Sequence, residues 1–214
     1  MIASFIDKIV SNVLISLYQP FWFAILLSVF VLFFYLFSYE SSNAGRGWKE
    51  SCKAWIEKFK IDVFFRKLFF LTFFTVLILF RTLLNRSMWA NPVSNVMGGW
   101  WIWKVDTNGE KVLTTECFEN IILMFPFTVL LMWTAKEKMI KHLNIKNIIL
   151  KCTQVAFLFS VCIEFLQLFL RLGTFQLSDI FYNTFGGCLG GMAYGVCWKL
   201  KKRSQKKVPD RASS

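Results

Sequence analysis

The chain has 214 residues, 56% of them hydrophobic, with 25 Phe, 9 Trp and a mean hydropathy of +0.49. Apolar runs this long exceed what a soluble domain needs for its core, which leaves an integral membrane protein as the class. The formal net charge of +12 is carried in short segments beside those runs, a placement that excludes a nucleic-acid-binding face and fits anionic lipid.

Ile2, Phe5, Ile6, Ile9, Val13 and Leu17 recur at helical spacing, with Asp7, Ser11 and Asn12 opposite. This predicts an N-terminal amphipathic helix lying in the membrane interface. No secretory signal is read here, because the apolar run after Pro20 is too long for one and lacks a small-residue cleavage site. The first span is 20–39, which reaches about 30 Å at ~1.5 Å per residue. Residues 40–66 mix lysines with Trp48, Trp55, Ile56 and Phe59 and predict an amphipathic helix on the inner surface.

The second span is 68–84. The connection 85–116 follows, with Trp89, Trp100, Trp101 and Trp103 beside Pro92, Gly98 and Gly99. Two readings stand for it: interfacial anchoring by tryptophan, or a lid over a polar pocket with a glycine hinge. The third span, 117–134, is the weakest, since its strictly apolar part is short and holds Pro126, which should kink the helix. The fourth and fifth spans are 148–172 and 177–200. The fold expected is all-α: a polytopic transmembrane helical bundle of about five spans. It forms one domain over 1–200, followed by a polar, basic, disordered tail, 201–214.

Loop charge orients the bundle. Lys8 alone precedes the first span, whereas Arg46, Lys49, Lys53, Lys58, Lys60, Arg66 and Lys67 follow it. The 85–116 connection holds Arg86, Lys104 and Lys111, the next one Lys136, Lys138, Lys141 and Lys146, and the turn near 173 only Arg171. The tail is again basic, from Lys199 to Arg211. This alternation predicts the N-terminus outside and the C-terminus inside, and it requires the weak third span to cross. The six cysteines show no CxxC spacing, and in this topology only Cys117 reaches the outer side, so no disulfide framework is expected. The single histidine, His142, sits in a basic loop. Neither a metal site nor a Ser–His–Asp triad is expected, and no cofactor is implied.

A charge in an apolar run is expensive unless it has a partner or a task. At about 100° per residue, Ser160, Glu164, Gln167 and Arg171 fall within an arc of roughly 60° and form one polar stripe. In the fifth span Asp179, Asn183, Gly186 and Gly190 share a face, while Gly187, Gly191 and Gly195 form an adjoining ridge for close helix packing. Asp179 or Ser178 would also serve as a helix cap. Glu119 and Asn120 begin the third span, where Glu116 and Glu119 would complement the dipole and Asn120 needs a partner. Arg81 and Asn85 stand one turn apart at the outer end of the second span. Arg81 either snorkels to headgroups or pairs with a carboxylate or an anionic ligand. Charge and span order bring all of these near one outer face.

Four ordered pieces carry a resemblance: R-T-L-L-N-R at 81–86, E-N-I-I-L-M-F-P at 119–126, F-S-V-C-I-E-F-L-Q at 159–167 and D-I-F-Y-N-T-F-G-G at 179–187. Together they resemble the VanZ-like family over Arg81 to Gly195. Arg81, Asn120, Pro126, Ser160, Glu164, Gln167, Asp179, Asn183 and Gly186 match the family's motif positions. Thr128 stands where the family commonly has glycine after the proline, and Ser178 where many members carry a second acid before Asp179. The resemblance implies a multi-pass protein of the bacterial plasma membrane associated with teicoplanin-type glycopeptide resistance.

Three functions fit this pattern. One is an outward polar pocket that binds a lipid-linked or amphiphilic molecule such as a cell-wall precursor or a lipoglycopeptide, with Arg81 and Arg171 on an anionic group. The second is an intramembrane enzyme with Glu164 or Asp179 as general acid or base. The third is a structural bundle or subunit whose polar stripe sets helix register. Surrounding lipid is a partner in every case, and the preferred reading is binding without catalysis.

Overall fold

The structure is a computed structural model that describes residues 2–39, 47–84, 88, 91–105 and 109–206. Among these, seven α-helices follow in order: α1 (Ile2–Tyr18), α2 (Phe21–Tyr39), α3 (Trp48–Ile61), α4 (Val63–Leu79), α5 (Glu116–Met139), α6 (Ile145–Leu170) and α7 (Leu177–Lys206). A π-helical turn, Phe80–Leu84, extends α4. The connection to α5 contains a short antiparallel ribbon of β1 (Trp103–Val105) and β2 (Lys111–Leu113), with Trp103 opposite Leu113. The all-helical expectation therefore holds outside this connection, which folds into a hairpin that no alternating pattern announced. The calls on Asn85, Arg86 and Trp89 lie outside the described residues. So does the part of the tail beyond Lys206; the tail's first residues continue α7 instead of leaving the helix.

Four helices are long and apolar enough to cross a membrane: Phe21–Ser38, Val63–Leu84, Glu116–Met139 and Ile145–Leu170. In a lipid solvent a helix satisfies every backbone group internally, and apolar side chains can face outward, as Trp22, Phe30, Phe34 and Phe169 do here. α7 falls outside that group of four because glycines and Asn183 dilute its hydropathy. It packs instead along both α5 and α6. Gly186 lies against Ile121 and Gly190 against Phe125, so α5 and α7 run parallel. Gly187 meets Ala156 and Gly191 meets Cys152, so α6 and α7 run antiparallel.

These glycines are what permit the approach. A Cβ at Gly186 would stand 2.6 Å from the Ile121 carbonyl oxygen, and one at Gly190 would collide with Thr128 Oγ1 and the Phe125 carbonyl. Thr128, on the turn after Pro126, donates to the Gly187 carbonyl at 3.2 Å, so its hydroxyl occupies the space the glycine ridge leaves. α4 lies antiparallel to α5, with Arg81 beside Glu119 at one end and Thr134 donating to the Lys67 carbonyl at the other. Ile78, Leu123, Met124, Phe127 and Ile163 form the core between α4, α5 and α6.

At the basic end, Trp55 of α3 stacks on Phe59 and Phe33 and meets Phe65 edge-on. Asp62 then caps α4, accepting from the amides of Phe64 and Phe65, and pairs with Lys58 at 3.2 Å. Burial raises the Asp62 pKa, but the Lys58 and backbone hydrogen bonds outweigh it and hold the carboxyl below its ordinary range. α1 corrects an expectation. Asn12, assigned to the polar face, lies on the packed side with Phe5 and donates to Thr115 Oγ1 at 2.6 Å, while Ile6, Val10 and Leu14 are exposed.

Two outcomes are expected. Gly186→Ala should lower thermal stability in detergent although it improves helix propensity by about 1 kcal/mol, whereas Gly195→Ala, whose new Cβ would meet nothing closer than 3.4 Å, should be neutral or stabilising. Equal effects would remove close packing as the cause. Asp62→Ala should cost about 1 kcal/mol at neutral pH. Because the folded-state pKa is depressed, that contribution exists above the unfolded pKa and vanishes as pH falls through the folded one. The mutant and wild-type melting temperatures should therefore converge in acid.

Candidate functional site

The polar residues gather at the end of the bundle opposite α3 and the basic turns. They come from five helices and two loops. The π-helical turn places Arg81 and Thr82 at the end of α4, where the Thr82 carbonyl accepts from an outside donor. Gln167 Nε2 supplies that donor at 2.6 Å and is itself 2% exposed. Arg81 pairs with Glu119 at 2.7 Å. The other Glu119 oxygen accepts from Thr115 Oγ1 at 2.7 Å, and Thr115 in turn accepts from Asn12. A chain of four side chains thus ties α1, α5 and the π-turn together around a carboxylate that is 7% exposed.

A second line of contacts joins α5, α6 and α7. Asn120 donates to Asp179 at 2.9 Å, and Asn183 donates to Ser160 Oγ at 2.9 Å. Glu164, 2% exposed on α6, accepts from the Gln176 amide at 2.7 Å, just before α7 begins. Ser160, Glu164, Gln167 and Asn183 are all buried, as the two predicted stripes require of side chains facing protein.

Between the helix ends lies a cavity of ≈ 310 Å³. Arg81 and Thr82 wall one side, and Glu116, Glu119, Asn120 and Asp179 another. Gly173, Thr174 and Gln176 close the third, and Ser94 and Asn95 cover it. The cover is stitched down: the Phe175 amide donates to the Pro92 carbonyl and the Leu177 amide to the Val96 carbonyl, both at 2.9 Å. Gly98, at φ +72°, fits directly over Ser178 and Gln176, where a side chain would collide. Ser94 and Asn95 of this loop line the polar pocket, and its described tryptophans do not. Among the described residues no three His, Cys, Asp or Glu side chains stand together as a metal ligand set.

Arg171 is the correction within the stripe. α6 ends at Leu170, and Arg171 is exposed in a left-handed conformation, φ +55°, with the Leu172 amide returning to the Gln167 carbonyl. Helical spacing no longer applies past that point, so the side chain leaves the face that Ser160, Glu164 and Gln167 share. Asn85 lies outside the described residues. Of the catalytic candidates, Asp179 lines the cavity and Glu164 does not. Gly186, Gly187, Gly190 and Gly191 lie against α5 and α6, about two to three turns from Asp179.

Sequence reasoning passed over Thr82, Ser94, Asn95, Thr115 and Gln176. Thr115 had a usable signal, since a threonine just before an acidic first turn marks a helix start. The others depend on a π-turn and a loop fold that carry none.

A protein-family model described as VanZ/LLP1 matches residues 21–198, so the match takes in α2 and α3 as well as the stretch from Arg81 to Gly195. No curated protein and no solved structure matches the chain.

The ion pair sets up a test by double-mutant cycle. Arg81→Ala leaves Glu119 charged, buried and without its cation, and should cost about 2–4 kcal/mol. Glu119→Gln on that background should recover part of the loss, because it removes the stranded charge. Additive losses in the thermal stability of the four proteins would show that the pair is not coupled.

Proposed function

The chain belongs to the VanZ/LLP1 family, and from that membership and the geometry of its polar end we propose that it binds the polar head of a lipid-linked or amphiphilic molecule. The molecule would be a cell-wall precursor or a lipoglycopeptide, and the binding would be the chain's link to teicoplanin-type resistance. The observation that carries this reading is the ≈ 310 Å³ cavity at the helix ends, walled by Arg81, Asn120, Gln176 and Asp179. In this reading α7 is a fifth span, held in lipid because its polar face is turned onto α5 and α6. The basic turns, α3 and the end of α7 lie inside, and the cavity lies just beneath the outer headgroups of the bacterial plasma membrane.

An amphiphile also needs a place for its tail. On the other face of the same π-turn lies a groove of ≈ 260 Å³ walled by Phe23, Leu79, Phe80, Leu83, Leu170 and Leu172, almost wholly apolar. Head and tail would then straddle Phe80–Leu84. The cavity's described lining holds Glu116, Glu119 and Asp179 against one arginine that is already paired with Glu119. Such a wall favours hydroxyl and amide groups of a sugar or peptide over a phosphate. It also moves the anionic role away from Arg171, which does not reach the cavity.

Ser160 accepts a hydrogen bond from Asn183, is fully buried and is not part of the cavity's described lining, which favours binding over acyl transfer by this hydroxyl. In the binding reading Asp179 and Asn120 orient the head, and Glu164 holds the segment before α7 in place.

The test compares Asp179→Asn and Glu164→Gln with the wild-type gene in a deletion strain. Teicoplanin susceptibility, drug retained by cells and envelope lipid composition are measured together. Altered susceptibility and retention with unchanged lipid products is the expected result, with Asp179→Asn the stronger. Altered products would transfer the site to catalysis. Unchanged phenotypes at normal protein levels in both mutants would defeat binding and catalysis alike.

A further inference from the structure

A second cavity, ≈ 320 Å³, lies beside the polar pocket and shares Asn95 and Glu116 with it. Its other walls are Trp100, Trp101 and Trp103, with Gly98, Gly99 and Thr114. Nothing in the reading of the polar pocket uses these tryptophans. Interfacial tryptophans that only anchor a protein need exposure, not convergence. Here three tryptophans and Glu116 line a single space.

The segment that carries them is fixed at several points. Tyr182 Oη donates to the Trp100 carbonyl at 2.8 Å, and the Trp100 ring packs on Phe181 and Tyr182 at centroid distances of 5.5 and 6.3 Å. Trp103 opens β1, paired with β2, and the Thr114 amide donates to the Ile102 carbonyl at 2.9 Å. Gly98 holds the near end against Ser178 and Gln176. The Trp100 ring and the backbone of Trp103 are therefore held by the fold.

We infer that this cavity is an aromatic cage for an alkylated ammonium group, with Trp100, Trp101 and Trp103 as its faces and Glu116 as its counter-charge. Indole faces carry negative quadrupole density and hold a cation without needing its hydrogen bonds, which a quaternary ammonium lacks. Glu116 adds a full negative charge, and no basic side chain is among the described lining residues. The cage does not rest on the function proposed for the polar pocket, since its three tryptophans are not part of that pocket's lining.

The experiment uses the full chain purified in maltoside detergent, which contains no ammonium headgroup. Tetramethylammonium chloride is titrated against sodium chloride at equal ionic strength and against 3,3-dimethyl-1-butanol, the neutral isostere of a choline group, with binding read by calorimetry. Saturable binding of tetramethylammonium, absent with sodium and weaker for the neutral isostere, is expected. Trp101→Ala and Glu116→Gln should each weaken it by about tenfold, while Trp22→Ala, which removes an exposed indole from α2, should leave it unchanged. No saturable binding by the folded wild-type protein, or equal binding of the neutral isostere, would overturn the cage. Both outcomes are read on the wild-type chain, so a variant that fails to fold does not remove the test.

Discussion

The close approach of α7 to α5 and α6 is the constraint on which the polar end depends. With Gly186 against the Ile121 backbone and Gly187 against Ala156, no side chain separates the helices at that level. Asn120 is next to Ile121 and Asp179 lies about two turns before Gly186, and the short gap there is what brings their side chains to 2.9 Å. The same packing sets Asn183 against Ser160 on the other flank. In lipid there is no hydrophobic drive between helices, so contact of small residues and satisfied polar pairs must hold them together. α7 contributes both, which explains how a helix of modest hydropathy comes to sit between two apolar ones.

Burying Glu119, Glu164, Gln167 and Asn183 is tolerable because each has a partner with fitting geometry. Glu119 illustrates the arrangement. Its two oxygens are taken by different elements, Arg81 of the π-turn and Thr115 at the start of α5, and Thr115 passes the connection on to Asn12 of α1. One carboxylate thus fixes the relative positions of three elements. Gln167 performs the matching service on α6 by donating to the Thr82 carbonyl in the π-turn. The result is a rigid polar rim around a cavity, with an apolar groove behind it and a tryptophan-walled space beside it.

Much of this rim was legible because lipid makes polar residues informative. Ser160, Glu164 and Gln167 recur at helical spacing in a span where anything polar must face protein, so periodicity alone aligned them. Arg171 shows where that logic stops. It continues the arithmetic of the stripe, yet α6 ends one residue earlier and the chain turns through a left-handed conformation. Asn12 shows a related limit, because an amide opposite an apolar face reads as solvent-facing until a specific acceptor on another helix is known.

The sequence by itself determined the class, the helical spans with their basic connections, and the faces on which glycines and polar side chains must lie, because hydrophobicity and the 3.6-residue period act within one segment. Which polar group meets which, the π-turn at Phe80–Leu84, the placing of Ser94 and Asn95 at the polar pocket, and the space that three tryptophans line with Glu116 were decided only by the tertiary structure. These depend on distances between residues far apart in the chain, such as the 2.7 Å between Arg81 and Glu119, and no local pattern encodes a distance across helices.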